Sequence, residues 1–307
     1  MGRVSANPEI PVISVVVPCR GQARELERCL RGLAAQNGGC LYETIVVDSA
    51  CDPAVAAVAA AFSAVRLVRS PAALCAADAR NLGAQHAQGR YLAFIDADAV
   101  PEPDWLATGV AALKEGAVMV GGSILDALPF HPIAVPDNLL QFIEFSPGRP
   151  DGPATHFSGC HLAVERAAFQ QAGGFPAGMA VGEDIAFTHA VSERWPDRVR
   201  FVRRMRVRHL GRTSLRAYWE HQKTFGYHRG LLGQHLRPIH QQLGAWPFMG
   251  VAVAAKRLVY VVVRAAHWYP SALLRLVVLW PSLLYGLAAF ARGFRCGCRE
   301  AVKQRYE

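Results

Sequence analysis

Residues Tyr91 to Leu106 read YLAFIDADAVPEPDWL: a run apolar enough for a buried strand, then two carboxylates one residue apart, then two prolines. Tyr91–Ile95 is short, aromatic and strand-compatible, and it follows Gln88-Gly89-Arg90, which reads as a turn. Asp96 and Asp98 lie two positions apart, so extended backbone projects both to the same side. Two unit charges about 5 Å apart repel by roughly 3 kcal/mol at an effective dielectric near 20. A pair so placed at the end of a core strand calls for a cation. Mg²⁺ or Mn²⁺ suits it, because hard ions take carboxylate oxygens and share their remaining positions with phosphates. The plainer alternative is a solvated loop with two acids. The core-strand lead-in and the Pro-Glu-Pro-Asp-Trp that follows favour the cation.

Outward from this stretch, strand-like and helix-like segments alternate through the first 120 residues. Val12–Val17 is a continuous β-branched run, as expected for a strand covered on both faces. Arg24–Gln36 has helical spacing with Leu26, Leu30 and Leu33 on one side. Glu43–Val47 is a second strand ending in Asp48. Asp52-Pro53 opens a helix to Phe62 with an N-cap and a first-turn proline. Val65–Val68 is a third strand, Leu74–Gln88 a helix, Tyr91–Ile95 a fourth strand, Pro103–Glu115 a helix and Ala117–Val120 a fifth strand. This rhythm predicts an α/β fold with an open, mostly parallel sheet flanked by helices. Ligands of such sheets bind beyond the carboxyl ends of the strands, where Asp48, Asp96 and Asp98 all fall. From Gly122 to Pro153 the pattern breaks into loops around a short helix near 138–144. Regularity returns at 154–165, followed by a short helix, a helix through Ser192, a strand over Arg198–Val202 and a long helix over Thr213–Leu236.

The chain has 307 residues, enough for one large or two small domains, and a hydrophobic fraction of 52% with the excess after Trp246. The net charge of +9 comes mostly from basic residues after Arg194, while the first half is close to balanced. That asymmetry favours a basic C-terminal surface and no nucleic-acid partner. The eight cysteines are scattered and form no CxxC pair, as in reduced cytosolic proteins, and the N-terminus shows no signal-peptide apolar run.

Four segments together resemble the family-2 glycosyltransferases, which have a GT-A-type, Rossmann-like nucleotide-sugar-binding fold. They are VISVVVPCR, TIVVDSACDP, ADARNLGAQHAQGRYLAFIDADAVPEPDWL and the later GC-HLAVERAAFQQAGGFPAGMAVGED, spanning about residues 11–190 in the family's order. The resemblance implies a nucleotide-sugar-binding half over 1–121 and an acceptor-binding and catalytic half over 122–212; residues 213–307 read by their own pattern as a helical, membrane-associating region. It places Pro18, Arg20, Asp48, Arg80, Asn81, Asp96 and Asp98 at the donor, with Asp48 near the nucleobase and Asp96 and Asp98 on the metal. Asp184 matches the family's catalytic base, the carboxylate that takes a proton from the attacking acceptor hydroxyl. Its alternative role is to cap the helix that follows, where acids are favoured; Glu183 and Asp184 could divide the two tasks. Gly159 and Cys160 resemble the small-residue turn under the acceptor, with Glu183 beside it; a strand turn needing small side chains is the alternative. His209 resembles a late histidine that completes the metal shell or meets the diphosphate, and is as readily structural.

The chain departs from the family pattern where Cys19, Arg20 and Gly21 replace the usual aromatic and asparagine, and where the DSACD segment is short. Both changes touch the nucleotide pocket, so the donor base does not carry over. The missing Q-x-x-R-W segment and an apolar C-terminus too short for a multi-span channel argue against a processive polysaccharide synthase.

Plotted at 100° per residue, Trp246–His267 puts Lys256, Arg257, Tyr260, Arg264 and His267 in one arc of about 100°, with valines and leucines over the rest. That reads as a helix lying in a membrane interface with a basic polar face. Ser271–Phe290 has about the length of a span but is interrupted by Arg275 and Pro281, giving a shallow hairpin or one imperfect span. A soluble helical subdomain is the alternative. The reading is therefore an inverting, metal-dependent hexosyltransferase at the cytoplasmic face of a membrane. It would move a sugar from a nucleotide-sugar donor to the hydroxyl of a saccharide or lipid-linked acceptor, in bacterial-type glycan or glycolipid assembly. Its competitors are a nucleotidyltransferase, for which the Gly-rich triphosphate loop after the first strand is missing, and a non-catalytic, membrane-docked nucleotide-sugar binder.

Overall fold

A computed structural model of the chain describes residues 10–232 and 246–306. These form two compact units, one of residues 10–124 and 150–208, the other of 125–149 with 209–232 and 246–306.

The first unit is built on a sheet whose strands are β1 (Ile13–Cys19), β2 (Tyr42–Asp48), β3 (Val65–Arg69), β4 (Tyr91–Ile95), β5 (Ala99–Pro101), β6 (Met119–Asp126), β7 (Gly152–Pro153), β8 (His161–Glu165) and β9 (Val199–His209). Its helices are α1 (Ala23–Ala34), α2 (Pro53–Ala60), α3 (Ala76–Gln85), α4 (Trp105–Lys114), α6 (Arg166–Gln171) and α7 (Glu183–Arg194), α5 belonging to the other unit. The strand order is β3-β2-β1-β4-β8-β6-β9-β5, with β7 on β9. β3, β2, β1 and β4 run parallel, whereas β8 runs antiparallel to both β4 and β6. The parallel rhythm read from the sequence thus describes the first four strands. The chain steps from β1 to β2 to β3 on one side and then places β4 on the other side of β1. That reversal opens a crevice at the carboxyl ends of β1, β2 and β4.

Local chemistry explains the parallel half. The β1 and β4 runs are buried on both faces, which is why they read as unbroken apolar stretches. Asp52 caps α2 by accepting from the Ala54 amide at 2.8 Å, with Pro53 at the first helical position. Leu26, Leu30 and Leu33 bury one face of α1 as their spacing predicts.

Several boundaries differ from the sequence reading. β6 continues to Asp126 where loops were expected, and the following helix, α5 (Ala134–Phe142), starts before the expected 138. β9 extends from Val199 to His209, well past Val202, because Val199, Phe201, Met205 and Val207 keep the inward period of a strand while arginines face out. Of 154–165, only His161–Glu165 is a strand.

The second unit packs α5 with α8 (Leu215–Leu231), α9 (Pro247–Trp268), α10 (Ser271–Val278) and α11 (Trp280–Tyr306). The part of the expected long helix beyond residue 232 lies outside the described residues. One apolar core unites Leu139, Leu140 and Ile143 with Tyr218, Val261, Leu276, Leu283, Leu287 and Phe290. α8 and α11 approach so closely that a Cβ on Gly226 or Gly230 would fall 2.0–2.3 Å from backbone carbonyls of Phe290 and Phe294. Gly293 and Gly297 answer from α11, where a Cβ would lie 2.0 Å from the Lys223 and Tyr227 carbonyls of α8. Glycine at every contact is what lets two helix backbones meet at this range.

The basic arc read on α9 is divided in the structure: its two arginines turn inward, while Lys256, Tyr260 and His267 are exposed. Arg257 faces inward, donating to Gln222 Oε1 at 2.8 Å and to the Leu140 carbonyl at 3.0 Å, its guanidinium 4.4 Å from the Phe290 ring centre. Arg264 stacks on Trp268 at 4.4 Å, and the Tyr260 hydroxyl bonds Glu144. Exposed along with those three residues of the arc are Val251, Val259, Val262 and Val263. A helical arc of arginines can be satisfied by carbonyls and aromatic faces inside a protein as well as by water, so the pattern alone does not say which side is in. Among the described residues no single helix is long and apolar enough to cross a membrane. Ser271–Val278 and Trp280–Lys303 qualify only together, across an 80° bend.

Candidate active site

The two acids of the opening stretch do not sit in extended backbone. A turn closed by the Ala99 amide on the Asp96 carbonyl, at 3.0 Å, separates β4 from β5, leaving Asp96 half-buried and Asp98 buried. The charge argument survives in altered form, because the cation beside Asp96 is a guanidinium. Arg80, on α3 and 3% exposed, donates from Nη2 to Asp96 Oδ1 at 2.7 Å and from Nη1 to Glu183 Oε1 at 2.7 Å. Burial opposes the charge on Arg80, but Asp96, Glu183 and Asp184 outweigh it and hold the side chain charged. Its planar fork lets one residue tie two carboxylates from distant elements.

Glu183 and Asp184 open α7, entered through Gly182 at φ 86°. Glu183 is buried against Arg80; burial, then the neighbouring Asp184, pushes its carboxyl up, and Arg80 pulls it back. Asp184 is half-buried and accepts from the Gly159 amide at 2.9 Å through Oδ2 and from the Ile185 amide at 2.8 Å through Oδ1. The two acids therefore divide: Glu183 is engaged by the arginine, while Asp184 is aimed by a backbone amide. Gly159 also borders Arg80, where a Cβ would lie 2.7 Å from the guanidinium carbon. Cys160 beside it is buried, and burial raises its thiol well above the ordinary value.

Asn81 does not face the cleft as a lone donor. It exchanges two hydrogen bonds with the Phe175 backbone, at 2.8 and 3.0 Å, while Asp78, three residues earlier, accepts from the Gly178 amide at 3.1 Å. α3 thus supplies one side chain to the carboxylates and two to the loop 173–178. At the end of β2, Asp48 is fully buried; Oδ1 accepts from the Ala50 amide at 3.0 Å, and Oδ2 has no hydrogen-bond partner among the described residues. Pro18 is half-buried and Arg20 exposed at the end of β1.

His209 belongs to the second unit. Asn138 donates to Asp126 and to the His209 carbonyl, which fixes its amide so that Oδ1 faces His209 Nδ1 at 3.0 Å. The Gly211 amide also donates to Nδ1, at 3.1 Å, so Nδ1 is held between a carbonyl oxygen and an amide N–H. The sequence reading missed His161, the residue after Cys160. It accepts from Trp105 Nε1 at 2.9 Å and donates through Nε2 to the Met205 carbonyl at 2.9 Å, so it is a neutral imidazole; burial pushes its pKa down to about 4.

Among the described residues, no group of three or more His, Cys, Asp or Glu side chains could hold a metal. Two carboxylates at a strand end do fit a hard cation that takes its other oxygens from a bound diphosphate.

The family model described as glycosyl transferase family 2 matches residues 14–171, just over half of the chain and every strand from β1 to β8. The chain belongs to glycosyl transferase family 2. Its curated relatives include the glycosyltransferase AglE of Haloferax volcanii, 24% identical over 60% of this chain and 62% of that one. The pre-mycofactocin glycosyltransferase of Mycobacterium tuberculosis is 26% identical over 73% of this chain and 47% of its own length. The chain thus spans about three fifths and about half of these two relatives. Among solved structures, the mannosyltransferase PcManGT of Pyrobaculum calidifontis, in complex with GDP-Man and Mn²⁺, aligns over 98% of this chain and 89% of its own, with a TM-score of 0.59 at 18% identity. GalNAc-T7 with UDP, GalNAc and Mn²⁺ aligns over 68% of this chain and 45% of its own, with a TM-score of 0.53 at 17% identity. Family membership and the GT-A fold expected from the sequence are thereby established for this chain.

Proposed function

We propose that the chain is an inverting, divalent-cation-dependent glycosyltransferase that moves a sugar from a nucleotide-sugar donor to an acceptor hydroxyl. The observation that carries this reading is Arg80, which gathers Asp96 and Glu183 next to an Asp184 already aimed by the Gly159 amide. Donor and acceptor chemistry then fall on opposite ends of one clamp. The orphaned Asp48 Oδ2 suits a donor hydroxyl or base N–H arriving at the crevice, since a buried acceptor without a partner is costly. The two solved relatives carry a nucleotide or nucleotide-sugar with Mn²⁺, which supports a donor of this class here.

Asp96 and Asp98 would hold Mg²⁺ or Mn²⁺, with His209 as a further candidate ligand; the bound ion supplies charge neutralisation of the departing diphosphate. Asp184 takes the proton of the acceptor hydroxyl as it attacks the anomeric carbon from the face opposite the leaving group. Gly159 and Cys160 floor that position, and Glu183 stays with Arg80. Bound alignment supplies much of the remaining acceleration.

The acceptor in this reading is a lipid-linked saccharide at the cytoplasmic face of a membrane. Support comes from α9 and α10, which expose Val251, Val259, Val263, Leu274, Val277 and Val278. An apolar row of this extent on helices whose arginines face inward fits a bilayer interface better than water.

Nucleoside diphosphate release from UDP-, GDP- and dTDP-sugars tests the proposal, with Mn²⁺ or EDTA, in detergent with a membrane lipid extract, beside Asp98→Asn. Metal-dependent release from one donor, lost in the variant, is expected. Donor binding without release under any lipid condition would leave a non-catalytic binder.

A further inference from the structure

Strand β9 carries a second feature that the transfer reaction does not use. In its sequence, VRFVRRMRVRH, Val199, Phe201, Met205 and Val207 are buried and Arg200, Arg204, Arg206 and Arg208 are exposed, the alternation being interrupted once by a half-buried Val202 and an exposed Arg203. The buried set meets the helix layer, with Met205 against Gly109 of α4. The four arginines therefore share the opposite face of the strand. At about 3.3 Å per residue they form a line roughly 26 Å long. Acidic relief is sparse. Arg208 pairs with Glu102 at 2.6 Å, Asp151 is engaged by the Arg203 amide, and the guanidinia of Arg200, Arg204 and Arg206 have no ion-pair partner among the described residues. Like charges held this close along one strand are mutually unfavourable. Their arrangement makes sense against an anionic surface.

We propose that the arginine row of β9 is a docking surface for the anionic headgroups of a lipid bilayer. This rests on the membrane reading given above and adds the lipid class. The flat, linear spacing of the row matches a planar array of phosphates. Nucleic acid is the weaker fit, because single strands are held by aromatic platforms beside the charges and β9 exposes no aromatic side chain. Charge along the chain agrees: residues 209–307 hold fourteen lysines and arginines against three acids, so the basic β9 row leads directly into the most basic part of the sequence.

Sedimentation of the full chain with vesicles tests this, using neutral phosphatidylcholine and the same lipid with one third phosphatidylglycerol, at low and high salt. Each surface arginine is expected to contribute about fivefold to partitioning onto the anionic vesicles, so R200Q/R204Q/R206Q should lose on the order of 100-fold there. Binding to neutral vesicles and the melting temperature should be unchanged, and the wild-type advantage should shrink as salt rises. V259D/V263D should lose binding to both vesicle types. A triple arginine variant that partitions onto anionic vesicles like wild type overturns the proposal while leaving the membrane reading in place. Wild-type protein that binds neither vesicle overturns both. Loss of retention on an immobilised oligonucleotide in the triple variant, with vesicle binding intact, would reassign the row to nucleic acid.

Discussion

Arg80 Nη1 lies 2.7 Å from Glu183 Oε1, joining α3 to the start of α7 across 103 residues of chain. The same guanidinium reaches Asp96 at 2.7 Å, so one side chain sets the positions of two carboxylates that a glycosyltransferase must place separately. Replacing Arg80 by Gln leaves Asp96 and Glu183 as uncompensated, partly or wholly buried charges. Removal of one partner of such a buried pair costs about 3–5 kcal/mol. A urea midpoint that barely moves would show the clamp to be dispensable. Arg80→Lys keeps the charge without the fork, so it should recover part of the stability and little of the donor turnover.

Gly159→Ala tests the other side of the clamp. A Cβ there would sit 2.7 Å from the Arg80 guanidinium carbon, in a region too crowded for the arginine to yield freely. Overpacking of this kind costs about 1–3 kcal/mol. The displaced guanidinium should carry Asp96 and Glu183 with it, so turnover should fall more than stability accounts for. Comparing kcat and KM for the donor separates the two effects: a change in KM alone would argue against displacement of the carboxylates.

Asp184→Asn keeps an oxygen able to accept from the Gly159 amide but cannot take a proton. Loss of a general base typically removes 10²–10⁴-fold in rate. Donor binding, followed by tryptophan fluorescence or calorimetry, should remain within a few-fold of wild type. Full activity in this variant would move the base elsewhere in the site.

The parallel half of the sheet was legible because its signals are local. β-branched runs, the Asp52-Pro53 cap and the turn before Tyr91 each act over a few residues, and they placed Asp48 and Asp96 at strand ends. The clamp was not legible, because Arg80 finds its partners 16 and 103 residues away and nothing in the ARN segment announces either. The same holds for Trp105 and His161, paired across 56 residues. Two features were written plainly and passed over. The apolar/arginine alternation of β9 reaches His209 with one interruption at Val202-Arg203, and Gly226-x-x-x-Gly230 with Gly293-x-x-x-Gly297 spells a close helix crossing. The orientation of α9 is a different matter: the wheel is symmetric between an arginine arc facing water and one facing aromatic rings, and only packing decides.

That crossing makes its own prediction. Gly297→Ala puts a methyl about 2.0 Å from the Tyr227 carbonyl, a clash with backbone that no rotamer relieves. α8 and α11 would have to separate along their length, exposing the contact at Gly226 and Gly230 as well. The expected result is a loss of several degrees in melting temperature, larger than for Gly116→Ala, where a Cβ meets nothing and the cost is only the positive φ. Equal shifts in the two variants would mean the helices repack without penalty.

His161 links the site to pH. Its imidazole is buried and neutral with a pKa pushed down to about 4, against an ordinary value near 6.5, because burial disfavours the charged ring by more than its hydrogen bond to the Met205 carbonyl favours it. As pH falls below 6.5 the unfolded chain takes up a proton that the folded chain refuses, so the stability contributed by the neutral ring is present above that pH. It is lost progressively until pH reaches about 4, where the folded ring also protonates. The shift corresponds to about 3 kcal/mol across that window. Urea unfolding between pH 7 and 4.5 should therefore show a steeper decline in wild type than in His161→Gln, which has no proton to gain. Cys160 precedes this imidazole in the chain, so turnover should fail over the same window. Parallel pH slopes for the two proteins would mean that the ring protonates in place and that the Trp105 contact does not hold it neutral.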